Sequence, residues 1–427
     1  MSQDSSAIAA QLDSLIQSEE ISYYPRWQPS PHLPEKPLVM PLTEKRLGQV
    51  SAIAHQNQWS LFPCGNGSKA SWGGIPSHFD FYLSTCNLNQ VIDHAVGDLT
   101  VTVQAGTTLA SLQQQLQQAG QFLPIDPSYP ESATIGGIVA AADAGSWRER
   151  YGGIRDLIIG ISVVRADGEI AKAGGRVVKN VAGYDLMKLF TGSYGTLGVI
   201  TQLTFRTYPL PPASETIVLT GNSEKIHQVA QTLRHSTLTP TRADLLSASV
   251  VKKLNLGKEI GLIIRFETIS ESIEKQIKEL SAISDSLGLQ TTRFRNDNEK
   301  SLWEQLKPLI FSPPSENGMT CKCGLLPTAA VELFQQLPSE SYAIIHNKSG
   351  LVKLAFQGDI PLSDLKNVRH CCEENKGFLT ILEAPTSIKE KLEPWGYSGN
   401  ALTMMKKIKE QFDAQKQFSP NCFVGGI

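Results

Sequence analysis

Apolar residues recur at helical spacing in several separate stretches of the chain, so that each stretch can present one apolar face to a core. Near the start, Ile8, Leu12 and Ile16 follow this spacing. A later stretch begins after Thr43, a residue type that caps helix starts. We predict helices over residues 4–18, 43–57, 109–120, 184–190, 223–235 and 269–287.

Between Trp59 and Pro209 the pattern changes to short β-rich runs separated by glycine turns. Within it, VVRADGEIAKA places Asp167-Gly168 between two strand-like runs, which is typical of a β-hairpin. Prolines at 208–215 end this region, and strand–helix units with fewer glycines follow. This predicts an α+β domain and then an α/β domain. We divide the chain into 1–40 (N-terminal helix and connector), 41–212 (first domain), 213–395 (second domain) and 396–427 (C-terminal tail).

Three glycine-rich loops lie in the first domain. Residues 177–201 include Gly195 and Gly198, which have no side chains. This indicates either plain turns or close approach of another group to the backbone. Residues 63–74 can present successive N–H groups as an anion-binding nest, and residues 127–153 hold a glycine entry to a helix. Each loop alone is also compatible with a surface turn or a tight helix–sheet contact. Together they predict a long phosphorylated cofactor.

Composition narrows the classes of function. The chain has 427 residues, which suggests two or three domains, and a net charge of −2, which gives no basis for binding nucleic acid. Seven cysteines follow neither a disulfide framework nor metal-site spacing, so we predict a reducing compartment and no metal or iron–sulfur site. The start lacks a signal-peptide pattern and no apolar run reaches membrane length. We therefore expect a cytoplasmic protein whose membrane association, if any, is peripheral and mediated by partners.

The motifs P-x-G-x-G-S, VQAGTTLASLQQQLQQAGQFLPIDP, TIGGIVAA and GSYGTLGVIT, in this order, resemble the FAD-binding domain of the vanillyl-alcohol oxidase type, the PCMH-type fold. The resemblance implies two subdomains with FAD between them in 41–212. It also implies a cap like the C-terminal domain of FAD-linked oxidases in 213–395, and a tail that returns to the FAD domain. The implied FAD contacts are Pro63, Gly65, Asn66, Gly67, Ser68, Lys69, Pro127, Thr134, Ile135, Gly136, Gly137, Gly195, Thr196, Gly198, Val199 and Ile200.

The stretch GGRVVKNVAGYDLMKLFTGSYGTLG and the tail IKEQFDAQKQF resemble the glycolate oxidase (glycolate dehydrogenase) group, and especially its smaller flavin subunit, the E subunit. That resemblance implies oxidation of a small 2-hydroxy acid such as glycolate. It also implies a D-type flavin subunit and an iron–sulfur subunit as partners. In its KNVAGYDL part, Lys179 and Asp185 are expected to set helix geometry rather than perform chemistry.

Three departures from the resemblance bear on the reaction. Cys64 stands where some relatives have a flavin-linking His, so we expect non-covalent FAD. The cap motif H-x-G-D-G-N-x-H is reduced to IIHNKSGLVKLAF, which leaves His346 and Lys353 as catalytic candidates, as a base and a carboxylate-binding cation. Tyr194 replaces a Glu that is common in catalytic relatives. The alternatives are a flavin-binding subunit that only transfers electrons or braces a catalytic partner, and a scaffold without cofactor.

Overall fold

The computed structural model describes residues 8, 11–12, 21–22, 33–76, 78–175, 184–311 and 317–427. Its strands are β1 Ile21–Ser22, β2 Leu38–Val39, β3 Leu61–Cys64, β4 Phe81–Ser84, β5 Val91–Ala95, β6 Thr100–Gln104, β7 Gln121–Phe122, β8 Ile158–Val164, β9 Ile170–Gly174, β10 Val199–Arg206, β11 Tyr208–Pro209, β12 Ala213–Gly221, β13 Arg242–Leu246, β14 Ile260–Thr268, β15 Gln290–Phe294, β16 Met319–Gly324, β17 Ser341–His346, β18 Leu351–Phe356 and β19 Phe378–Glu383.

The α-helices are α1 Glu44–Gln56, α2 Leu109–Gln118, α3 Ile135–Ala140, α4 Arg148–Tyr151, α5 Ile154–Leu157, α6 Leu186–Phe190, α7 Ser223–His235, α8 Ala248–Lys253, α9 Ser270–Ser286, α10 Asn296–Phe311, α11 Ala330–Gln336, α12 Leu362–Glu374, α13 Thr386–Lys391 and α14 Leu402–Phe412. Helix α1 begins where the sequence predicts, because the Thr43 side chain accepts a hydrogen bond from the Arg46 N–H at 3.2 Å. Most of the helix predicted over 4–18 lies outside the described residues, as does Lys179.

The chain forms two compact units. The first comprises residues 1–144, 153–210 and 399–427, and the second comprises 145–152 and 211–398. Residues 145–152 differ from the sequence-based division, which puts them in 41–212. They belong to the second unit because the Trp147 ring stacks on the Arg242 guanidinium at 4.1 Å and its indole N–H donates to Glu267 at 2.9 Å. Such long-range packing leaves no signal in the local sequence.

The first unit contains two larger sheets and a two-stranded ribbon of β7 and β11. A four-stranded sheet has the order β1-β2-β4-β3, and an antiparallel five-stranded sheet has the order β5-β6-β10-β8-β9. The predicted hairpin is confirmed: β8 pairs with β9 across a turn in which Gly168 has φ +87°. Separate apolar cores lie around α1 and around α2 and α3, so the unit has two subdomains.

The second unit is built on an eight-stranded sheet with the order β15-β12-β14-β13-β17-β18-β16-β19, in which every neighbouring pair is antiparallel. Alternate residues of these strands pack against α7, α9, α11 and α12 to form the larger core. The opposite face has a smaller apolar cluster with α8 and α10, and it also carries the side chains of Arg242 and Asp244. This second face therefore combines apolar cover with buried charged groups.

No described helix combines the length and the apolar character that crossing a bilayer requires. All seven cysteines have free thiols. Within the described ranges, no three His, Cys, Asp or Glu side chains converge in a way that could hold a metal ion.

Candidate cofactor site

The three glycine-rich loops of the first unit converge on one cavity, which encloses ≈ 810 Å³ of empty space including its open mouth. Most of the predicted FAD contacts lie in its wall: Pro63, Gly65, Asn66, Gly67, Ser68, Lys69, Thr134, Gly136, Gly137, Gly195, Gly198, Val199 and Ile200. Three predicted contacts, Pro127, Ile135 and Thr196, do not line it. The three predicted loops therefore meet at one cavity, and their contacts with FAD stay a prediction.

The first loop follows β3 and is held tightly to the second. A Cβ added to Gly65 would lie 2.0 Å from Thr134 Oγ1, so only glycine fits there. Gly67 has φ +76°, a conformation that glycine adopts without strain. The Asn66 side-chain amide donates to the Ser132 carbonyl at 3.0 Å and fixes the loop from the other side. The backbone of residues 65–68 is thus pre-organised along the cavity wall.

The second loop leads into the short helix α3. Thr134 is its N-cap and accepts a hydrogen bond from the Gly137 N–H at 3.4 Å. A Cβ at Gly136 would lie 2.8 Å from the Ala105 Cβ, so this glycine serves helix–strand packing as well as the cavity wall. Ile135 points into the apolar core, which explains why it is absent from the wall.

The third loop contains two wall glycines with different surroundings. Gly195 needs its positive φ of +71°, and an added Cβ would only touch Pro63 and Ser419. At Gly198, however, a Cβ would lie 2.8 Å from the Val164 carbonyl oxygen. Gly198 is therefore required by contact with the neighbouring strand of the protein itself. Thr196 lies off the cavity because its hydroxyl is turned to the Ser193 carbonyl at 2.7 Å.

Further wall residues escaped sequence reasoning, and one of them carries a polar group that needs a partner. The Trp72 indole Nε1 is buried and has no hydrogen-bond partner among the described residues. A buried donor left unpaired is costly, so a ligand acceptor in this cavity fits it. Beyond the predicted FAD contacts, the wall contains Cys64 and Tyr194, which the sequence analysis discussed for other reasons. It also contains seven residues that the sequence did not single out: Phe62, Ala70, Trp72, Thr85, Ala140, Ala141 and Cys422.

Lys69 brings a buried cation to the same end of the cavity. Its ammonium lies 3.1 Å from the Ser128 carbonyl oxygen and 3.5 Å from Asp143 Oδ2. The rings of Trp72 and Tyr129 lie 5.4 and 5.6 Å from it, within the range of cation–π attraction. The charge is thus held in a defined position. A positively charged group beside a backbone nest suits a phosphorylated ligand.

Two other wall residues have altered acidities. Burial, with Cys86 nearby, raises the pKa of the Cys64 thiol well above its usual value. Because the thiolate is the reactive form, Cys64 is a poor nucleophile at neutral pH. Burial, reinforced by Asp143, also raises the pKa of the Tyr194 hydroxyl, so Tyr194 stays neutral. Non-covalent FAD remains a prediction that agrees with the first of these shifts.

The two catalytic candidates lie on one sheet face of the second unit. His346 and Asp244 are paired residues of β17 and β13, and His346 Nδ1 lies 2.6 Å from Asp244 Oδ1. Both side chains are buried, and Asp244 Oδ2 has no hydrogen-bond partner among the described residues. Lys353 of β18 pairs with Ile344, two residues before His346, so its side chain shares their face. The sequence named His346 but gave no signal for Asp244.

Glu149, on helix α4, belongs to the same cluster of charges. Burial and the neighbouring Asp244 raise the pKa of its carboxyl to about 7, against the opposing effects of Lys348 and His346. Burial also lowers the pKa of the nearby Arg234 guanidinium. Several groups of this cluster therefore influence each other's protonation.

Comparison with known proteins identifies the first unit. Residues 36–174 match the protein family described as FAD binding domain. FAD is the cofactor of this domain. This confirms the cofactor that the resemblance of its motifs implied, and it agrees with the long phosphorylated ligand predicted from the glycine loops.

Curated relatives match longer parts of the chain. The glycolate oxidase subunit GlcD of Bacillus subtilis (strain 168) is 28% identical over 60% of this chain and 57% of its own length. The glycolate oxidase subunit GlcE of Escherichia coli (strain K12) is 42% identical over 29% of this chain and 36% of its own length. The probable mitochondrial D-lactate dehydrogenase of Danio rerio is 28% identical over 64% of this chain and 56% of its own length. The chain thus spans between about a third and somewhat over half of these relatives.

The solved structures confirm the fold class. The crystal structure of p-cresol methylhydroxylase with substrate bound superimposes with a TM-score of 0.74 over 98% of this chain and 96% of that one, at 13% identity. The predicted α+β architecture, a PCMH-type FAD-binding fold with a second domain, is therefore correct. At this identity the likeness concerns the fold alone.

Proposed function

We propose that this chain is an FAD-dependent oxidoreductase subunit that acts on a small 2-hydroxy acid such as glycolate, and that it is the E-type flavin subunit of a glycolate oxidase complex. The observation that carries the proposal is the cavity, whose wall combines a glycine nest, a buried lysine and an unpaired indole N–H. Its similarity to glycolate oxidase subunits and a D-lactate dehydrogenase supports the substrate class.

The residues of the first unit supply the cofactor site. The backbone of Gly65–Ser68 would hold the diphosphate of FAD, with Lys69 and Trp72 as additional donors. The start of α3 would only pack against it, because the N–H groups of Ile135 and Gly136 already donate to the carbonyls of Thr107 and Ala105. Gly195, Val199 and Ile200 would contact the parts of FAD beyond its diphosphate. The chemistry that bound FAD would supply is that of a hydride acceptor for the α-carbon of a 2-hydroxy acid.

The residues of the second unit supply the acid–base chemistry. When His346 Nδ1–H donates a hydrogen bond to Asp244 Oδ1, the other ring nitrogen, Nε2, is left unprotonated as a base for the substrate hydroxyl proton. Asp244 also stabilises the imidazolium that forms. Lys353 would pair with the substrate carboxylate. In this arrangement His346 and Lys353 are the catalytic residues and Asp244 is a positioning residue.

A second candidate is a flavin subunit without a reaction of its own, which transfers electrons or braces a D-type partner and an iron–sulfur partner. The reduced cap motif favours it, because Lys353 stands where the motif H-x-G-D-G-N-x-H has its second His. Tyr194, neutral and stacked on Phe423 with ring centroids 5.6 Å apart, also provides no carboxylate. Both candidates require FAD.

The deciding experiment is anaerobic reduction of the purified chain by glycolate or D-lactate, followed through the flavin absorbance. Loss of that absorbance supports the catalytic subunit, whereas a flavin that never bleaches supports the second candidate. A protein that copurifies with no FAD and binds none on addition would contradict both and favour a scaffold.

His346→Gln tests the proposed base. We expect the FAD content to stay at the wild-type level and the reduction rate to fall by roughly a factor of 10² or more, which is the usual contribution of a general base. His370→Gln is the matched control, because His370 is an exposed residue of α12 that pairs with Glu374. Equal reduction rates in all three proteins would remove His346 from the mechanism.

A further inference from the structure

A buried lysine in the C-terminal tail has no part in the proposed chemistry. Lys409 lies on α14, and its ammonium makes three short contacts: to Asp413 Oδ2 at 2.6 Å, to the Thr196 carbonyl oxygen at 2.7 Å and to the Phe418 carbonyl oxygen at 2.9 Å. An ammonium group has three N–H donors, so all of them are used. We call Lys409, Asp413 and the two carbonyl groups the tail clasp.

The tail clasp joins the tail to the third loop of the cavity. Thr196 directly follows Gly195, which lines the cavity, and the Ser419 hydroxyl lies 3.5 Å from the Gly195 carbonyl oxygen. The clasp therefore fixes the carbonyl of the residue next to the wall. A shift of Thr196 would be passed directly to Gly195.

The same tail segment also supports the first loop. The Leu61 N–H donates to the Gln417 carbonyl at 2.6 Å, and the Ser419 N–H donates to the Leu61 carbonyl at 2.8 Å, so the tail runs beside β3. Strand β3 leads directly into Gly65–Ser68. Further along, Cys422 lines the cavity and its carbonyl accepts from the Gly74 N–H at 3.1 Å. The tail thus holds two of the three loops at once.

Stability alone does not explain a lysine at this position. Burial lowers the pKa of Lys409, and the attraction of Asp413 opposes this effect. Two charges removed from water are often no more stabilising than an apolar pair of the same size. What an apolar pair cannot do is bind the carbonyls of Thr196 and Phe418 in one fixed geometry. The charged pair therefore suits a positioning role.

We infer that Lys409, held by Asp413, is a positioning residue of the cofactor site, and that tight retention of FAD depends on it. The inference rests on the proposed function in taking FAD as the ligand of the cavity. FAD binding then requires more than the glycine loops. The contacts of the tail clasp must also be formed, so that the first and third loops adopt their binding geometry together.

The test compares Lys409→Met with Lys407→Met in the full chain. Lys407 is an exposed lysine on the same helix, so its replacement controls for the loss of a positive charge. The FAD dissociation constant is measured by titrating the FAD-free proteins and following flavin fluorescence, and the stability of the same proteins is measured by urea unfolding. We expect the dissociation constant to rise at least tenfold in Lys409→Met and to stay within twofold of wild type in Lys407→Met.

A double variant separates positioning from stability. Lys409→Met with Asp413→Asn leaves no unpaired buried charge. The new amide keeps one acceptor oxygen, so it can serve only one of the two N–H groups, of Gln417 and Phe418, that donate to Asp413 Oδ1 and Oδ2 in the wild type. We expect the double variant to be folded in the absence of urea, to unfold at a lower urea concentration than wild type, and to bind FAD at least tenfold more weakly under conditions where it is fully folded. The visible circular dichroism of its bound flavin should also differ from that of wild type.

The outcomes are distinguishable. Wild-type FAD affinity in the folded double variant would overturn the positioning role and leave the proposed function intact. A wild-type protein that binds no FAD would overturn the proposed function itself, and the inference with it.

Discussion

The cofactor cavity of the first unit and the charged sheet face of the second unit are built in different ways. The cavity depends mainly on backbone: Gly65 fits against Thr134, and Gly67 and Gly195 have positive φ. The sheet face depends on side chains, above all on the contact between His346 and Asp244, which are 102 residues apart in sequence. Each glycine loop of the first site can be recognised from a few neighbouring residues, whereas the pairing of His346 with Asp244 exists only once the strands have paired.

The cofactor of the first unit is established, whereas the reaction assigned to the second unit is proposed. The glycine loops predicted a long phosphorylated cofactor, the resemblance of the motifs implied FAD, and comparison with known families confirmed FAD. For the reaction, the sequence offered only single residues, and the structure adds the pairing of His346 with a buried carboxylate. The two regions should therefore respond differently to substitution: changes in the first should affect FAD binding, and changes in the second should affect protonation and turnover.

The largest effect should come from Gly65→Ala. The added Cβ would lie 2.0 Å from Thr134 Oγ1, so the helix cap and the first loop must move apart. We expect FAD affinity to fall at least a hundredfold, about 2.7 kcal/mol, as measured by flavin fluorescence titration. Such a loss from one added methyl group would show that close contact between the backbone of the first loop and Thr134 determines the shape of the cavity.

Gly97→Ala is the matched control, because a Cβ there would meet no atom within 4 Å. We expect its FAD affinity to equal that of wild type. If Gly65→Ala also bound FAD normally, the cavity wall would be more adaptable than its geometry indicates, and the contrast between the two regions would weaken.

The limits of sequence reasoning follow from the same contrast. Thr43 as a cap, the hairpin at Gly168 and the helix over 223–235 depend on neighbours within a few residues, and all three are present in the structure. Gly198 shows what local reasoning misses: it lines the cavity as predicted, but the Val164 carbonyl of the adjacent strand also excludes a side chain there.

Contacts between distant segments could not be predicted at all. Trp72 is one of several tryptophans in the sequence, and only the folded cavity shows that its N–H is buried without a partner. Asp244 carries no motif, and it becomes notable only because the register of β13 and β17 places it beside His346. Such residues are determined by tertiary packing rather than by local pattern.

A smaller effect, confined to the second unit, should come from Glu149→Gln. Burial and Asp244 raise the pKa of Glu149 to about 7, so between pH 4.5 and 7 the folded state keeps a proton that the unfolded state releases. Stability is therefore lost as pH rises through this range, and the loss is complete above it. Allowing for partial exposure, we expect the free energy of unfolding of the variant to exceed that of wild type by about 2 kcal/mol at pH 8. Near pH 4 the two free energies, measured by urea unfolding, should be equal.

Glu224→Gln provides the control, since Glu224 is exposed in the first turn of α7. The difference between its free energy of unfolding and that of wild type should change little between pH 4 and pH 8. If the free energies of unfolding of wild type and Glu149→Gln varied with pH in parallel, Glu149 would not be held protonated. The FAD affinity of Glu149→Gln should stay at the wild-type level, because Glu149 does not line the cavity.

The smallest effect, and the sharpest test of the cavity, should come from Trp72→Phe. The substitution removes the buried Nε1 donor and keeps most of the ring over Lys69. If that donor binds FAD, its loss should weaken FAD binding by about 1 kcal/mol, roughly fivefold, in a fluorescence titration. Trp59→Phe, in the same unit and outside the cavity wall, should leave the affinity unchanged. Equal FAD affinity in Trp72→Phe and wild type would show that the indole N–H has no acceptor on the flavin nucleotide, and recognition would then fall to the backbone and Lys69.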